Sequence, residues 1–422
     1  MPAGPTERAF VLHPDITSDP DRRDAQSGLA EAKALAAALP GLEIVGGEVV
    51  NLRSPQPGTL FGSGKLEELA ARLKAEEVSL VLVDGPVTPV QQRNLEKEWG
   101  VKLLDRTGLI LEIFADRAAT REGVLQVELA ALSYQRTRLV RAWTHLERQR
   151  GGLGFVGGPG ETQIEADRRA IDDAITRIRR QLEKVVKTRA LHRASRAKVP
   201  FPVVALVGYT NAGKSTLFNR LTGAKVLAKD MLFATLDPTM RGVTLTTGQK
   251  VILSDTVGFI SDLPTQLVAA FRATLEEVLS ADLILHVRDI SHAETEAQAR
   301  DVETILHGLG VADETPRLEI WNKMDLVPEE SRNALETLAA RREDVLTLSA
   351  WTGSGMERLV EAVTEALDGA RSFETLALDF ARGKQHAWLH EQRVVEAERQ
   401  TETGWELDVR WTATQARRYR DL

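Results

Sequence analysis

The chain has 422 residues, enough for about three domains, and it combines 43% hydrophobic with 27% charged residues and a net charge of −7. It contains no cysteine, which excludes disulfides, thiolate nucleophiles and cysteine-bound zinc. No apolar run reaches the roughly 18 residues that a membrane span needs, and the first residues lack the pattern of a signal peptide. We therefore expect a cytoplasmic protein. The eight histidines are interpreted as scattered without H-x-x-x-H spacing, so a histidine metal site is not predicted.

The first 115 residues alternate strand-like apolar runs with helical patterns. This alternation predicts a small parallel α/β domain. Within it, the stretch from Gly58 to Lys65 imitates a phosphate-binding loop, but it lacks the first glycine and the hydroxyl residue after the lysine; a tight turn that opens a helix is the favoured interpretation. The predicted strands are 8–12, 42–45, 80–84 and 101–104, and the helices lie near 29–39, 65–77 and 88–98.

Residues 116–199 have the pattern of two long helices. Apolar residues recur at steps of three, four or seven from Leu125 to Leu146 and from Ile164 to Val185, which predicts an antiparallel coiled-coil hairpin. From Arg117 to Lys198 there are 18 Lys and Arg against 9 Asp and Glu, a net charge of +9 inside an otherwise acidic chain. This distribution favours contact with a polyanion, with a solvated basic helix face as the alternative.

The two predicted helices join through a glycine-rich loop, RGGLGFVGGPGE. Its G-x-G-x-x-G letters also occur in dinucleotide-binding proteins, but a helix precedes them here instead of a strand, so we reject that interpretation. An exposed glycine-rich tip that carries two apolar side chains suits insertion among phosphates and stacked bases, with a flexible turn as the alternative. The candidate RNA-contacting residues are Arg150, Gly152, Leu153, Gly154, Phe155, Gly157 and Gly158.

A phosphate-binding loop follows a short apolar strand at 203–207. The spacing is Gly208, four residues, then Gly213, Lys214 and Ser215, followed by a helical pattern, which is the context that this motif requires. Glycines let backbone N–H groups surround a polyphosphate, Lys214 is expected to meet the β and γ phosphates, and Ser215 is expected to bind magnesium.

Further strands, predicted at 243–247, 250–255, 283–287, 317–321 and 345–348, carry the other motifs of a nucleotide site. Asp255 and Gly258 form D-x-x-G, which suits a magnesium-water ligand and a γ-phosphate-sensing N–H. Asn322-Lys323-Met324-Asp325 places a carboxylate that accepts two hydrogen bonds from guanine, whereas adenine offers no such pair of donors. The backbone of Ser349 and Ala350 can donate to the guanine O6. After residue 369, a helix at 385–399 and a strand at 405–411 predict a small α/β appendage.

These motifs resemble a known family. GYTNAGKSTLFN, FATLDPT, DTVGF, NKMD and SA are similar to translation-factor-related GTPases, and GSGKLEEL, LSYQRTRL and above all RGGLGFVGGPGETQIEADRR resemble the HflX family of ribosome-associated GTPases. The resemblance implies a magnesium-dependent GTP hydrolase that binds the ribosomal RNA of the large ribosomal subunit and splits stalled or idle ribosomes. The alternatives are a GTP-dependent assembly factor for the large subunit and a non-catalytic RNA-binding scaffold. We expect a monomer.

The resemblance also implies individual roles. Thr235 matches the threonine that coordinates magnesium when the γ-phosphate is present, and Asn211 matches the asparagine of relatives that use a monovalent cation, so we hypothesise potassium-assisted hydrolysis. Phe259 stands where many GTPases carry the glutamine that orients water, which predicts slow intrinsic turnover that the ribosome raises. The predicted catalytic residues are Asn211, Lys214, Thr235 and Gly258. The metal ligands are Ser215, Thr235 and, through water, Asp255. The nucleotide contacts are Gly208, Tyr209, Thr210, Asn211, Ala212, Gly213, Lys214, Ser215, Thr216, Phe233, Thr235, Asp255, Gly258, Asn322, Lys323, Asp325, Ser349 and Ala350.

The predicted fold is therefore α/β with four parts. An N-terminal parallel α/β domain covers residues 1–115, and the basic helical hairpin covers 116–199. A Ras-like phosphate-loop GTPase domain covers 200–369. A small C-terminal α/β domain covers 370–422.

Overall fold

A computed structural model of the chain describes most of its residues, in two compact units. One unit comprises Met1–Lys184, Asp230–Leu236 and Asp262–Phe271, and the other comprises Val185–Lys229, Asp237–Ser261 and Arg272–Leu422. The described residues are 6–19, 22–149, 159–196, 201–224, 232–233, 239–245, 248–261, 277–312, 315–369, 371–420 and 422, with the backbone alone for 140–149, 159–164, 186–196, 413–414 and 417–418. In these ranges no helix combines the length and the apolar character that crossing a membrane requires.

The N-terminal domain is built on a four-stranded sheet in the order β2-β1-β3-β4, in which every pairing is parallel. This confirms the predicted parallel α/β fold. Strand β3 is buried along its whole length because helices cover both faces of such a sheet. Lys65, in the stretch that imitates a phosphate loop, forms ion pairs with Glu48 and Glu68. The elements are β1 (Glu7–Ile16), α1 (Ala25–Ala37), β2 (Leu42–Leu52), α2 (Ser63–Ala75), β3 (Leu80–Val83), α3 (Pro89–Trp99), β4 (Lys102–Asp105) and α4 (Arg106–Arg117).

Two long helices, α5 (Arg121–Gln149) and α6 (Pro159–Arg196), follow. Arg136 of α5 and Asp172 of α6 form an ion pair with a distance of 3.1 Å between Nη1 and Oδ1. Ile175 and Ile178, which belong to the predicted apolar series of the second helix, are 2% exposed. The two helices are therefore linked by at least this ion pair, and packing along the predicted apolar seam stays a prediction.

The segment predicted as the GTPase domain contains a six-stranded sheet in the order β10-β9-β8-β5-β7-β6, in which β6 alone is antiparallel to its neighbour. Strand β6 begins at Thr239, four residues before its predicted start. The elements are β5 (Val203–Gly208), α7 (Lys214–Thr222), β6 (Thr239–Thr244), β7 (Lys250–Asp255), β8 (Leu283–Asp289), α8 (Thr295–Leu309), β9 (Arg317–Asn322), a 3-10 helix (Met324–Leu326), α9 (Glu329–Ala339), β10 (Val345–Thr347) and α10 (Met356–Gly369).

The C-terminal domain is an antiparallel sheet in the order β11-β13-β12 with two helices. The predicted helix at 385–399 is wrong in its second half. The helix ends at Glu391, the chain turns at Arg393 with a φ of 53°, and Val395–Gln400 pairs with the neighbouring strand. The elements are β11 (Arg371–Asp379), a 3-10 helix (Phe380–Arg382), α11 (Gly383–Glu391), β12 (Val395–Gln400), β13 (Gly404–Thr412) and α12 (Ala413–Arg420).

The histidines of this domain also correct the sequence analysis. His386 and His390 lie four residues apart on α11, which is the H-x-x-x-H spacing of many metal sites. The interpretation of the histidines as scattered is therefore wrong.

Candidate functional site

The phosphate loop connects the end of β5 to the start of α7, and two of its glycines are sterically required. Gly208 has a φ of 151°, and a Cβ there would lie 2.1 Å from the carbonyl oxygen of Val287. Gly213 has a φ of 94°, and a Cβ there would lie 2.2 Å from Nδ2 of Asn322. Both positions combine a left-handed backbone with close packing, which glycine alone tolerates.

Lys214 has a buried side chain inside this loop. Its Nζ donates hydrogen bonds to the carbonyl oxygens of Gly208, at 3.0 Å, and Tyr209, at 2.8 Å. Burial lowers the pKa of Lys214 to about 8, although attraction to Asp255 opposes the shift. The amine is therefore poised to gain a stronger electrostatic partner such as a polyphosphate.

Ser215 and Asp255 provide a pair of adjacent oxygen donors. The Ser215 hydroxyl donates to Oδ2 of Asp255 over 2.7 Å, and Asp255 is completely buried at the end of β7. A hydroxyl beside a buried carboxylate is the type of donor set that Mg²⁺ prefers. These two residues therefore fit a magnesium site next to the phosphate loop.

The segment after β7 is hydrogen-bonded to the phosphate loop. The Thr210 N–H donates to the Phe259 carbonyl at 2.6 Å, the Phe259 N–H donates to the Gly208 carbonyl at 3.1 Å, and the Ser261 N–H donates to the Tyr209 hydroxyl at 2.7 Å.

Gly258 packs tightly in the same segment. A Cβ at Gly258 would lie 2.8 Å from the Thr210 Cα and 3.0 Å from the Lys214 Nζ, and the Phe259 ring is 1% exposed. The backbone of Gly258 therefore lies against the phosphate loop, whereas the Phe259 ring is part of the core.

At the predicted base-binding end, Asn322 joins two loops. Its Nδ2 donates to the Ala212 carbonyl at 2.8 Å, and its Oδ1 accepts from the Ala350 N–H at 2.9 Å. Lys323 has a left-handed backbone and pairs with Asp289 at 2.8 Å. Asp325 is exposed on the following 3-10 helix, where a carboxylate can receive two donors from a base.

The Ser349 and Ala350 N–H groups already have partners within the protein. The Ser349 N–H donates to the Ser354 carbonyl at 3.0 Å, while the Ala350 N–H donates to Asn322. A hydrogen bond from either group to the guanine O6 therefore requires that its present bond be shared or exchanged.

Sequence reasoning missed two positioning residues of this site, Arg220 and Asp289. Arg220 of α7 donates to the carbonyls of Ala350 at 2.7 Å and Trp351 at 2.5 Å, and so it holds the predicted base-binding loop. Asp289 ends β8 and orients Lys323. A carboxylate at a strand end was a visible signal for Asp289, whereas the sequence around Arg220 contains no comparable signal.

The structure brings together the predicted phosphate-loop, strand-end and base-binding residues of the second unit. Phe233 belongs to the other unit, where its ring lies edge-on to Phe114 of α4 with 4.6 Å between centroids, so its contact with nucleotide stays a prediction. Thr235 lies outside the described residues. So do the candidate RNA-contacting residues Arg150, Gly152, Leu153, Gly154, Phe155, Gly157 and Gly158.

Four family profiles match successive segments of the chain. The matching family profiles are described as GTP-binding GTPase N-terminal (26–115), GTP-binding GTPase Middle Region (117–196), 50S ribosome-binding GTPase (203–323) and HflX C-terminal domain (334–420). A GTP-binding protein of Sulfolobus solfataricus, solved with GDP, is 24% identical and covers 86% of this chain and 98% of its own, with a TM-score of 0.45.

Two curated relatives are similar over almost the whole chain. GTPase HflX of Magnetococcus marinus is 52% identical over 387 residues, which are 92% of this chain and 88% of that protein. GTPase HflX of Escherichia coli is 44% identical over 398 residues, which are 94% of this chain and 92% of that protein. As its motifs predict, the chain belongs to the HflX family of GTPases, enzymes that hydrolyse GTP.

Proposed function

We propose that the chain is a GTP-dependent switch that acts on the ribosome in the cytoplasm. The GTP form binds the large subunit and splits stalled or idle ribosomes, and hydrolysis releases it. The observation that carries this proposal is the basic hairpin, with its net charge of +9, next to a segment matched by a profile described as 50S ribosome-binding GTPase. A cationic arm beside a nucleotide switch suits a ribonucleoprotein target.

In this proposal tasks are assigned to three of the four predicted segments. The hairpin of 116–199 contacts ribosomal RNA through its tip between Arg150 and Gly158. The N-terminal domain of 1–115 is directed toward the same RNA. The segment 200–369 binds GTP, and its conformation depends on whether GTP or GDP is bound. No task is assigned to 370–422 on these grounds.

The residues of the GTP site have complementary roles. Lys214 contacts the β and γ phosphates, Gly258 senses the γ phosphate through its N–H, and Asp325 selects guanine. Ser215 would hold Mg²⁺ directly and Asp255 would hold it through water, with Thr235 added in the GTP form; the bound ion would neutralise charge on the phosphates. The Ser215–Asp255 hydrogen bond supports this assignment, because the two side-chain oxygens lie 2.7 Å apart.

In this proposal Asn211 helps to bind a potassium ion that assists hydrolysis. It lies in the phosphate loop with a left-handed backbone, a φ of 60°, which asparagine tolerates better than most residues. Turnover should be faster in potassium than in sodium buffer, and Asn211→Gly, which keeps the backbone conformation, should remove the difference. Equal turnover of the unmodified protein in both buffers would overturn this assignment.

Sedimentation of ribosomes tests the proposed activity. Intact ribosomes and large-subunit precursors are incubated with the protein and GTP, GDP or a non-hydrolysable GTP analogue. Splitting predicts free subunits with GTP and protein retained on the large subunit with the analogue. Binding to precursors without splitting of intact ribosomes would support an assembly factor instead.

A deletion variant separates the hairpin tip from the nucleotide site. Removal of residues 151–160 should weaken ribosome binding while leaving GDP affinity within about twofold, since interactions at separate sites are largely independent. Unchanged ribosome binding would mean that the tip is a passive turn.

A further inference from the structure

The C-terminal domain contains a cluster of metal-ligating side chains away from the nucleotide motifs. Among the residues that the structure describes, His386, His390 and Glu398 form the group of three such side chains whose donor atoms lie within 4.8 Å of one another. The two histidines are four residues apart on α11 and so share one face of the helix. Glu398 reaches them from β12.

The donor atoms of the three side chains lie close together. Nε2 of His386 lies 3.1 Å from Oε1 of Glu398, and Nε2 of His390 lies 2.8 Å from Oε2 of the same carboxylate. In a tetrahedral site with bonds of about 2.1 Å, neighbouring donors are about 3.4 Å apart. Small side-chain rotations therefore convert the observed arrangement into three ligands of one ion.

The cluster is also preorganised and open. The His386 ring stacks on Trp405 of β13, with centroids 4.1 Å apart and an angle of 23°, and Phe380 supports Trp405 edge-on at 4.8 Å. The side chains of His386, His390 and Glu398 are 21%, 46% and 31% exposed, so an ion and a water molecule can reach the donors. A ring fixed by packing loses less entropy when it becomes a ligand.

We propose that His386, His390 and Glu398 bind one divalent transition-metal ion of the zinc type, with water completing the coordination. Two imidazoles and one carboxylate suit Zn²⁺, Co²⁺ or Ni²⁺, whereas Mg²⁺ and Ca²⁺ prefer oxygen ligands alone. On binding, the proton on each Nε2 moves to Nδ1 of a neutral ring, or is released to solvent if the ring is charged, so that the Nε2 lone pair faces the metal and the Nε2–H···O hydrogen bonds to Glu398 are lost. The ion would link α11 to the edge strand β12 and so stabilise this domain.

Zinc titration of the untagged full chain tests the site. The protein is saturated with GDP and Mg²⁺ so that the nucleotide site is occupied, and Zn²⁺ binding is followed by calorimetry and by competition with a chelating dye. We expect one ion per chain that millimolar Mg²⁺ does not displace. With Co²⁺, a visible absorption band should report nitrogen and oxygen coordination.

Variants assign the ligands. His386→Gln, His390→Gln and Glu398→Gln should each weaken Zn²⁺ binding at least tenfold, while His307→Gln, at an exposed histidine of α8, should leave it unchanged. Circular dichroism and GDP affinity check that each variant is folded. Absence of a one-to-one zinc complex in the unmodified protein, or a zinc affinity in His386→Gln and His390→Gln equal to that of the unmodified protein, would overturn the proposal. Loss of binding in His307→Gln would do so as well.

Discussion

Lys214 is a buried amine whose charge state depends on its partners. In the structure it contacts two carbonyls, and burial lowers its pKa to about 8. A bound polyphosphate stabilises the charged form and therefore raises this pKa again. The amine is half neutral near pH 8 without nucleotide and fully charged with it.

Proton uptake on nucleotide binding follows from this shift. At pH 8.5, where the phosphates are already ionised, GDP binding should take up about half a proton or more, because the neutral fraction of Lys214 becomes protonated. GDP affinity should also fall as the pH rises through 8. Calorimetry in buffers of different ionisation enthalpy measures the uptake, and a value near zero at pH 8.5 would contradict the assigned pKa.

The role of Phe259 depends on whether its side chain faces the nucleotide site or the core. By resemblance, Phe259 stands where many GTPases carry a water-orienting glutamine, and in the structure this side chain is 1% exposed within the core. Because the ring is buried, restoring glutamine at this position would place an amide in an apolar environment.

Phe259→Gln should therefore destabilise the protein without increasing basal GTP hydrolysis. The loss of buried surface and an unsatisfied amide together cost about 3 kcal/mol or more, whereas Phe259→Leu should cost about 1 kcal/mol. Urea unfolding and single-turnover phosphate release measure the two effects. Faster basal turnover in Phe259→Gln at unchanged stability would show that this interpretation is wrong.

At the scale of elements, α7 connects the two ends of the nucleotide site. It begins at Lys214 of the phosphate loop, and Arg220 near its end holds the carbonyls of Ala350 and Trp351. Gly353 permits this contact, since a Cβ there would lie 2.5 Å from Nη1 of Arg220. One helix thus fixes the distance between the phosphate and base contacts.

Arg220→Ala should weaken GDP binding by about tenfold, which corresponds to roughly 1.4 kcal/mol. The physical reason is that the loop of Ser349 and Ala350 loses two hydrogen bonds from a charged donor. Fluorescent GDP titration measures the change, and Arg358→Ala, at an exposed position of α10, is the control. Equal affinities of both variants would show that the loop is held by other contacts.

The C-terminal elements show where a local pattern fails. The sequence pattern predicts a helix over 385–399. In the structure the helix ends at Glu391, and the segment from Val395 pairs with β13. Backbone hydrogen bonds to a strand formed later in the chain outweigh the weak local preference. The same pairing brings Glu398 to the two histidines.

For the whole molecule, the asymmetric charge distribution predicts how salt affects function. The segment from Arg117 to Lys198 carries +9 within a chain of net charge −7. Contacts with RNA phosphates release counterions, so such binding weakens steeply as the salt concentration rises. Guanine nucleotide binding depends on buried contacts and should respond less.

Raising sodium chloride from 50 to 200 mM at constant potassium should weaken ribosome binding by about threefold for each phosphate contact. Basal GTP hydrolysis should change far less, while the extra hydrolysis stimulated by ribosomes should decline with binding. Pelleting assays and phosphate release on the same samples measure both. A fast basal enzyme that ribosomes do not stimulate would contradict the proposed switch.

The sequence alone was sufficient for the family, the α/β class and the nucleotide motifs. Gly208 to Ser215, Asp255 to Gly258 and Asn322 to Asp325 are each contiguous, so their spacing along the chain carries the chemistry directly. Periodicity likewise located most strands and the helical hairpin, because long regular patterns depend little on distant residues.

Tertiary structure decided which distant residues meet. Asn322 joins Ala212 to Ala350, Arg220 reaches Ala350 across 130 positions, and Glu398 joins the H-x-x-x-H pair through strand pairing. Such contacts depend on strand order and on register, neither of which has a local signature. The guanine site could therefore be predicted as a set of motifs, whereas its internal hydrogen bonds and the histidine–glutamate cluster emerged from the fold.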